Sequence, residues 1–321
     1  MSIIFKIKHY LIPYFQETFY SSSYVVKPNA DLHPIYWISG YEKNIFNKKW
    51  KFENGIPLGI YNNSWKANIE KRTHISALAE YFFALDPVRN KTQRQLIVDF
   101  IINNLKEEVS KEGFRYCYWP TYLSENSQDY FVHGMGQGQI LSVLTRARIE
   151  TNNSRLDDSI RKVGNSFKLQ FGEKNGFVDR SDGIILQEYP HLKTQNDAVL
   201  NGWVLSIIGL YDYIKAGFAD PIINQIFNES ILTLKDKLPE YNIGYWTLYN
   251  LPSSYKNIAS AHYHGQHIVF LKVLGILLND DEIRVFSDNI RLKTNNLMFR
   301  IFALLVKIVA NLFKYKRLYK T

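Results

Sequence analysis

Apolar side chains recur every three or four residues along most of the chain, the spacing that gives a helix one buried face. The pattern runs through seven segments: 75–83, 96–105, 140–147, 160–167, 204–211, 223–238 and 271–278. Asp86 and Pro87 end the first of them, because proline lacks the amide hydrogen that a helix interior needs. With the C-terminal segment, the pattern predicts a mainly α fold of about eight helices in an α/α arrangement.

Two segments between the helices are instead rich in aromatic residues and glycine and are predicted to be extended, in short β hairpins. One is GFRYCYWPTYL, around Tyr116 and Trp119. The other is GYWTLYNLP, in which Tyr245, Thr247 and Tyr249 alternate with their neighbours. We expect three regions: an irregular or β-containing region at 1–65, a helical domain at 66–285 and a C-terminal helix at 286–321.

The net charge of +9 is unevenly distributed along the sequence. From Arg291 to the end there are eight Lys and Arg residues and no acidic residue, which leaves 31 basic against 30 acidic residues in the first 290. A nearly neutral body argues against a basic face for nucleic acid, so we predict no nucleic-acid partner. Cys117 is the single cysteine, which excludes an intramolecular disulfide and favours a reducing compartment.

The C-terminal segment 296–318 has the pattern of a basic amphipathic helix. Arg300, Lys307 and Lys314 are seven residues apart and line one stripe, and apolar residues fill the rest. Spanning a bilayer takes about 20 predominantly apolar residues, and these charges interrupt the run. We expect the helix to lie on a membrane surface, to bind a partner or to pack on its own domain. The N-terminus lacks the features of a signal peptide. The predicted location is therefore cytoplasmic, with peripheral contact to the inner membrane.

Side chains that could take part in catalysis or in metal binding cluster at two places in the sequence. Glu188 and Tyr189 precede Pro190, which favours extended backbone at Tyr189, so we expect the two side chains to face apart. A packed turn before a helix is the alternative interpretation. The second cluster is AHYHGQH, where Tyr263 lies between two histidines. Its spacing differs from the HExxH of zinc proteases, so a helix start with hydrogen-bonded histidines is favoured over a metal site.

Several motifs, in this order and spacing, resemble the C-terminal catalytic domain of the D-glucuronyl C5-epimerases. They are HISALAEYFFAL (74–85), MGQGQILSVLTRA (135–147), EYP (188–190), LNGWVLSIIGLYDY (200–213), LPEYNIGYWTLYNL (238–251) and YHGQHI (263–268). The resemblance covers roughly residues 55–278. It implies an (α/α) barrel, or toroid, whose open end binds a uronic-acid polysaccharide, and inversion of C5 of glucuronate within that polymer. We predict no cofactor and no metal.

The resemblance also implies the site residues. The proton-transfer candidates are Tyr189, Tyr263, Glu188 and Tyr249, with Tyr263 on one face of the sugar, Tyr189 or Glu188 on the other, and Tyr249 polarising the substrate. In the animal enzymes an arginine follows the tyrosine that matches Tyr249 by three residues, whereas this chain has Pro252. Another cation must replace it, and the candidates are Arg180, Lys193, His262, His264 and His267, with His264 best placed beside Tyr263. The residues expected to bind substrate are His264, His267, Asn201, Gln137, Arg180, Lys193 and Trp119.

Two other functions fit the same residues. A polysaccharide lyase shares the removal of the C5 proton but then expels the 4-linked sugar, and the sequence does not separate the two outcomes. A non-catalytic glycan-binding or assembly protein is the alternative from a different class. A glycoside hydrolase fits less well, because no second carboxylate is comparably placed to pair with Glu188. Whether the chain forms a homodimer is left open.

Overall fold

The computed structural model describes residues 51–58, 74–122, 129–190, 198–218, 220–251 and 257–318, together with Tyr14. Within these residues the chain forms nine α-helices. They are α1 (Ile75–Ala84), α2 (Lys91–Asn104), α3 (Gly134–Thr151), α4 (Asp157–Asn165), α5 (Leu200–Lys215), α6 (Pro221–Tyr241), α7 (Ala261–Leu277), α8 (Asp281–Thr294) and α9 (Leu297–Leu318). Two short 3₁₀ turns, Ser154–Leu156 and Ser166–Lys168, flank α4. The predicted mainly α class is confirmed.

Eleven short strands connect the described helices, all in antiparallel pairs. They are β1 (Lys51–Glu53), β2 (Ile56–Leu58), β3 (Lys106–Val109), β4 (Arg115–Tyr118), β5 (Thr121–Tyr122), β6 (Tyr130–Phe131), β7 (Val178–Asp179), β8 (Ile185–Leu186), β9 (Ala198–Val199), β10 (Leu248–Leu251) and β11 (Asn257–Ile258). The first eight form four two-stranded hairpins, and β10 lies between β9 and β11 in a three-stranded sheet. Both aromatic segments predicted to be extended contain strands, β4 with β5 in one and β10 in the other.

The helices alternate between two rows. In the first row α1 packs on α3, α3 on α5 and α5 on α7, and most residues of α3, α5 and α7 are buried. The second row consists of α2, α4, α6 and α8, which pack on the first row and keep one face toward solvent. This alternation explains why the apolar pattern is broad in the first row and confined to a stripe in the second.

The contact between α3 and α5 is unusually close, because small residues meet there. A Cβ on Gly138 would come within 2.7 Å of the Leu205 carbonyl oxygen and of the Ser206 Cα. A Cβ on Gly209 would overlap the backbone of Gly138 in turn. Any larger side chain at these two glycines would push the helices apart, so Gly138 and Gly209 set the spacing between α3 and α5.

The N-termini of α3, α5 and α7 converge on one end of the domain. The amide of Gly134, the first residue of α3, donates to the carbonyl of Gln187 at 2.9 Å. Glu188 packs on Gly202 in the first turn of α5. The sheet of β9, β10 and β11 leads directly into α5 and α7. This end of the domain therefore carries the loops and hairpins in which the candidate residues lie.

Helix α9 packs on α8 and on β11, and two residues of its charged stripe, Arg300 and Lys307, face the protein. The Arg300 side chain is buried beside Ala303, and the Lys307 Nζ donates to the Ile258 carbonyl at 2.6 Å. The sequence pattern identified the stripe but not this orientation. Among the described helices none is long and apolar enough to cross a bilayer.

Candidate functional site

The segment that carries Glu188 and Tyr189 is held in place on two sides. Strand β8 pairs with β7, and the amide of Gln187 continues this pairing by donating to the Phe177 carbonyl at 2.9 Å. The buried Gln187 side chain donates to Asp179 at 3.0 Å, and its carbonyl accepts from Gly134. The backbone on the N-terminal side of Glu188 is thereby fixed to a hairpin and to the start of α3.

The Glu188 carboxyl group is buried against the first turn of α5. A Cβ on Gly202 would lie 2.9 Å from its Cδ, so only glycine leaves room for the acid here. Burial raises the pKa of Glu188 to about 7, because the charged form loses its hydration, although a hydrogen bond from Tyr189 acts in the opposite direction. The oxygen Oε2 has no hydrogen-bond partner among the described residues. Glu188 is therefore close to its titration point at neutral pH.

The hydrogen bond between Glu188 and Tyr189 corrects one sequence-based prediction. The two side chains were expected to face apart because Tyr189 precedes proline, but they contact each other. The preference for extended backbone before proline restricts φ and ψ. It leaves the side-chain rotamers free, and burial of the Glu188 carboxyl leaves the neighbouring phenol as its hydrogen-bond donor.

Three tyrosines that are distant in sequence form one cluster beside this acid. The hydroxyl oxygens of Tyr189 and Tyr249 lie 3.3 Å apart. The Tyr249 and Tyr263 rings are packed with centroids 4.7 Å apart and planes inclined by 56°. Burial, together with the nearby Glu188 charge, raises the pKa values of Tyr189 and Tyr249 well above 10. All three rings are only partly buried, so the cluster is accessible to a ligand.

His264 and His267 are bound to protein groups instead of facing this cluster as cations. Thr294 donates its hydroxyl hydrogen to the Ile290 carbonyl at 2.6 Å, so it accepts from the His264 Nε2, also at 2.6 Å. Burial lowers the pKa of His264 well below 6.5 and that of His267 to about 3, so both rings are neutral. The His264 Nδ1 must then accept the hydroxyl hydrogen of Thr247 at 2.8 Å.

Because Thr247 has one hydrogen to donate, its oxygen accepts from the His267 Nδ1 at 2.9 Å. Thr247 thus bonds the start of β10 to helix α7, and these two elements carry Tyr249 and Tyr263. His264 is fully buried and stacks on Trp246 with centroids 3.7 Å apart. A neutral imidazole bonded at both nitrogens does not fit the expected role of a cation for the substrate carboxylate.

The remaining expected residues fall into different environments. Gln137 uses its whole amide inside the protein, accepting from the Trp119 amide at 3.0 Å and donating to the Cys117 carbonyl and the Ser166 hydroxyl. Trp119 itself is buried. Gln137 therefore connects α3 to the segment around β4 and to the 3₁₀ turn that follows α4.

Four more residues were expected to bind substrate or to supply a cation: Asn201, Arg180, Lys193 and His262. Asn201 is buried next to Gly202, and its Oδ1 has no hydrogen-bond partner among the described residues. The Arg180 side chain is 37% exposed, and one of its terminal nitrogens lies 4.0 Å from a carboxylate oxygen of Glu229 on α6. His262 is exposed and its ring contacts Tyr263 edge-on, with centroids 5.3 Å apart. Lys193, like Pro252, lies outside the described residues.

Residues that the sequence analysis did not select also border the cluster. Phe131 packs on Tyr189 with centroids 6.4 Å apart and on His133 at 5.5 Å. The His133 Nδ1 accepts from the Gly136 amide at 3.1 Å and caps α3. A polar residue directly before the GMGQGQ helix start was the available signal for this cap. In the parts of the chain that the structure describes, no group of His, Cys, Asp and Glu side chains is arranged to hold a metal ion.

Comparison with known proteins relates this arrangement to one family. The family model described as D-glucuronyl C5-epimerase C-terminus matches residues 110–291, which is more than half of the chain. A D-glucuronyl C5-epimerase of Caenorhabditis elegans is 28% identical over 172 residues, covering 48% of this chain and 27% of that protein. The chain thus spans about a quarter of the length of this curated relative. The match contains Glu188, all three tyrosines of the cluster and both buried histidines, and on this evidence the chain belongs to the D-glucuronyl C5-epimerase C-terminus family.

Proposed function

We propose that the chain is an isomerase that epimerises C5 of glucuronate to give iduronate within a uronic-acid polysaccharide or lipid-linked glycan. The observation that carries this proposal is the tyrosine cluster with its acid. Tyr189 and Tyr249 have hydroxyl oxygens 3.3 Å apart, Tyr263 packs on Tyr249, and Glu188 binds Tyr189. Family membership and the similarity to a protein named D-glucuronyl C5-epimerase support it.

The reaction needs the kind of groups that this cluster contains. The C5 hydrogen is α to a carboxylate and becomes acidic only when the charge that develops on that carboxylate is stabilised. A base removes the proton from one face of the ring, and an acid returns a proton to the other face. A phenol, with an ordinary pKa of about 10, is closer in acidity to such a carbon acid than a carboxylic acid is.

We assign one face of the sugar to Tyr189 and Glu188 acting together. Tyr189 accepts the C5 proton while it passes its own hydroxyl hydrogen to the Glu188 carboxylate, to which it is hydrogen-bonded. The raised pKa of Tyr189 disfavours a free phenolate, so concerted transfer to an acid with a pKa of about 7 is the easier route. Glu188 then stores the proton.

Tyr263 supplies the proton on the opposite face, and Tyr249 stabilises the intermediate. Tyr263 then takes a proton from solvent while Glu188 releases its own to solvent, which restores both groups. The ring of Tyr249 lies between the other two phenols, hydrogen-bonded to Tyr189 and packed on Tyr263. Because burial raises the pKa of Tyr249 well above 10, the phenol stays protonated and can donate to the substrate carboxylate. His262, exposed beside Tyr263, is the remaining candidate cation that borders the described cluster.

The arrangement of the helices and the cellular location of the protein are also part of what we propose. We propose that the two rows of helices close into an (α/α) barrel within residues 66–285, and that the polymer binds across the end where α3, α5 and α7 begin. We also propose that the N-terminal region, 1–65, packs on this domain; apart from Tyr14 and residues 51–58 it lies outside the described residues. A role in assembling a bacterial capsule or another surface polysaccharide in the cytoplasm, near the inner membrane, fits these features.

The test is incubation of the purified protein with heparosan-like and other glucuronate polymers, followed by NMR of the sugar composition. The proposal expects iduronate signals with unchanged polymer length. An increase in ultraviolet absorbance from an unsaturated uronate would instead identify a lyase. Absence of both products with every uronate polymer supplied would contradict an enzymatic function on these substrates.

A further inference from the structure

The outward face of helix α9 is apolar. Six large apolar side chains on it are between 41% and 70% exposed: Leu297, Met298, Phe302, Leu305, Ile308 and Val309. Met298, Phe302, Leu305 and Val309 are spaced by four, three and four residues, so they form one continuous stripe along the helix. The other exposed large apolar residues are scattered as single positions over several elements, which is usual for a soluble surface.

Two charged side chains of the same helix, Arg300 and Lys307, are turned the other way. Arg300 is only 7% exposed, and Lys307 donates to β11 through the Ile258 carbonyl and the Asn257 side chain. A helix that only covered its own domain would put its apolar stripe inward and leave these charges in water. Here the face toward the protein holds Arg300 and Lys307 together with apolar side chains such as Ala303, which is fully buried, and a second apolar stripe remains exposed. An exposed apolar stripe of this length indicates a nonaqueous partner on the outward face.

The charge distribution identifies the kind of partner. Residues 291–321 contain eight basic and no acidic residues, whereas the first 290 residues are almost neutral. Four of the eight, Lys314, Lys316, Arg317 and Lys320, follow the apolar stripe directly in the sequence. An apolar helix face with a basic cluster at its end is the pattern that binds a bilayer carrying anionic lipids.

We propose that the outward face of α9 docks on an anionic membrane surface, lying in the plane of the interface. The helix is not apolar enough to span a bilayer, in keeping with a surface position. This inference is independent of the proposed reaction, because none of its residues belongs to the tyrosine cluster.

Docking through α9 would also hold the hairpin that carries Tyr249 close to the membrane. The Phe302 ring contacts Tyr245 edge-on with centroids 4.7 Å apart, and Tyr245 lies just before β10. Lys307 binds the neighbouring strand β11. The segments on either side of Tyr249 are thus in direct contact with the docking helix, as suits a glycan attached to a lipid.

The test is flotation of the full-length protein with vesicles of phosphatidylcholine, with and without about one-third phosphatidylglycerol. We expect the protein to float with the anionic vesicles, and the Leu305→Glu variant to show a bound fraction lower by about tenfold or more. Leu232→Glu is the matched control, because Leu232 is a leucine on α6 that is 66% exposed, compared with 54% for Leu305. This control should bind as the wild type does.

Three outcomes would overturn the proposal. The first is a wild type that binds neither kind of vesicle, and the second is a Leu232→Glu variant that loses as much binding as Leu305→Glu. The third is a protein that does not bind vesicles but self-associates, as measured by light scattering, with Leu305→Glu abolishing the self-association. That result would assign the face to a second copy of the chain. Circular dichroism of each variant verifies that lost binding does not reflect unfolding.

Discussion

The Tyr189 and Tyr249 hydroxyl oxygens lie 3.3 Å apart although 60 residues separate them in the sequence. The contact joins the segment before α5 to the strand before α7, so it forms only when the first row of helices is assembled. Tyr263, from α7, adds a third phenol through its ring contact with Tyr249. The chemistry proposed above therefore depends on tertiary packing that brings a loop, a strand and a helix together.

Removing the Tyr249 hydroxyl tests whether this contact serves catalysis. We expect Tyr249→Phe to lower kcat by about 100-fold, because the substrate carboxylate loses a donor at the moment its charge develops. The ring and its packing on Tyr263 remain, so the melting temperature should change by only a few degrees. Tyr245→Phe, on the same segment, is the control and should retain full activity.

The pH profile tests the role of Glu188. Its pKa of about 7 in the folded protein means that the ionised form, which the proposed mechanism needs as proton acceptor, is lost as the pH falls through 7. We expect kcat/KM to fall about tenfold per pH unit below that point. Glu188→Gln should lower activity and remove this acidic limb, and a variant that keeps the same limb would assign the titration to another group.

Removing the Thr247 hydroxyl tests whether it holds β10 and α7 together. Thr247→Val keeps the shape but deletes the hydroxyl that binds both His264 and His267, leaving two buried ring nitrogens without that partner. We expect a loss of about 1–3 kcal/mol in the free energy of unfolding. Activity should also fall, since Tyr249 and Tyr263 lose their common support. Thr151→Val is the matched control, because that hydroxyl bonds only a carbonyl of its own helix, and equal losses in both variants would contradict the bridging role.

The raised pKa of the buried Asp212 should make the free energy of unfolding depend on pH. Asp212 is buried on α5, with an oxygen 3.9 Å from the Arg146 Nε, and burial raises its pKa from 3.8 to about 7. The folded state therefore binds more protons than the unfolded state between these values, so stability falls as the pH rises from about 4 to 7. The slope for one such group is at most about 1.4 kcal/mol per pH unit.

Asp212→Asn should flatten this dependence, and urea unfolding at several pH values measures it. Glu188, whose pKa is also raised, contributes a slope of the same sign that remains in the variant. Asp288→Asn is the control, because Asp288 is 37% exposed and forms an ion pair with Lys272 on the surface. An unchanged slope in Asp212→Asn would show that Asp212 does not carry the linkage.

Much of the fold follows from the sequence because it depends on local periodicity. The apolar spacing in 75–83 or 204–211 is enough to predict α1 and α5, and the alternation around Tyr249 is enough to predict β10. The single C-terminal helix expected over 286–321 is two helices in the structure, α8 ending at Thr294 and α9 beginning at Leu297. The start of α8 is not evident from the sequence, because its buried positions Ile283, Ser287, Ile290 and Thr294 include two hydroxyl residues that interrupt the apolar pattern.

The side-chain environments could not be predicted in the same way. His264 looks like a cation beside Tyr263 in the sequence, but its burial against Trp246 and its hydroxyl partners are set by segments remote in the chain. Gln137 likewise resembles a ligand residue until its three partners are seen. The orientation of α9 depends on β11, which Lys307 binds, and the helical pattern alone fixes only which residues share a face.

The most direct test of the central claim is exchange of the C5 hydrogen with solvent. The protein is incubated with a glucuronate polymer in deuterated water, and deuterium at C5 is measured by NMR for the wild type and for Tyr263→Phe. We expect deuterium at C5 of both glucuronate and iduronate with the wild type. In Tyr263→Phe, which should fold normally, exchange should fall by about 100-fold or more. A Tyr263→Phe variant with full exchange, or a wild type that never incorporates deuterium, would contradict the account.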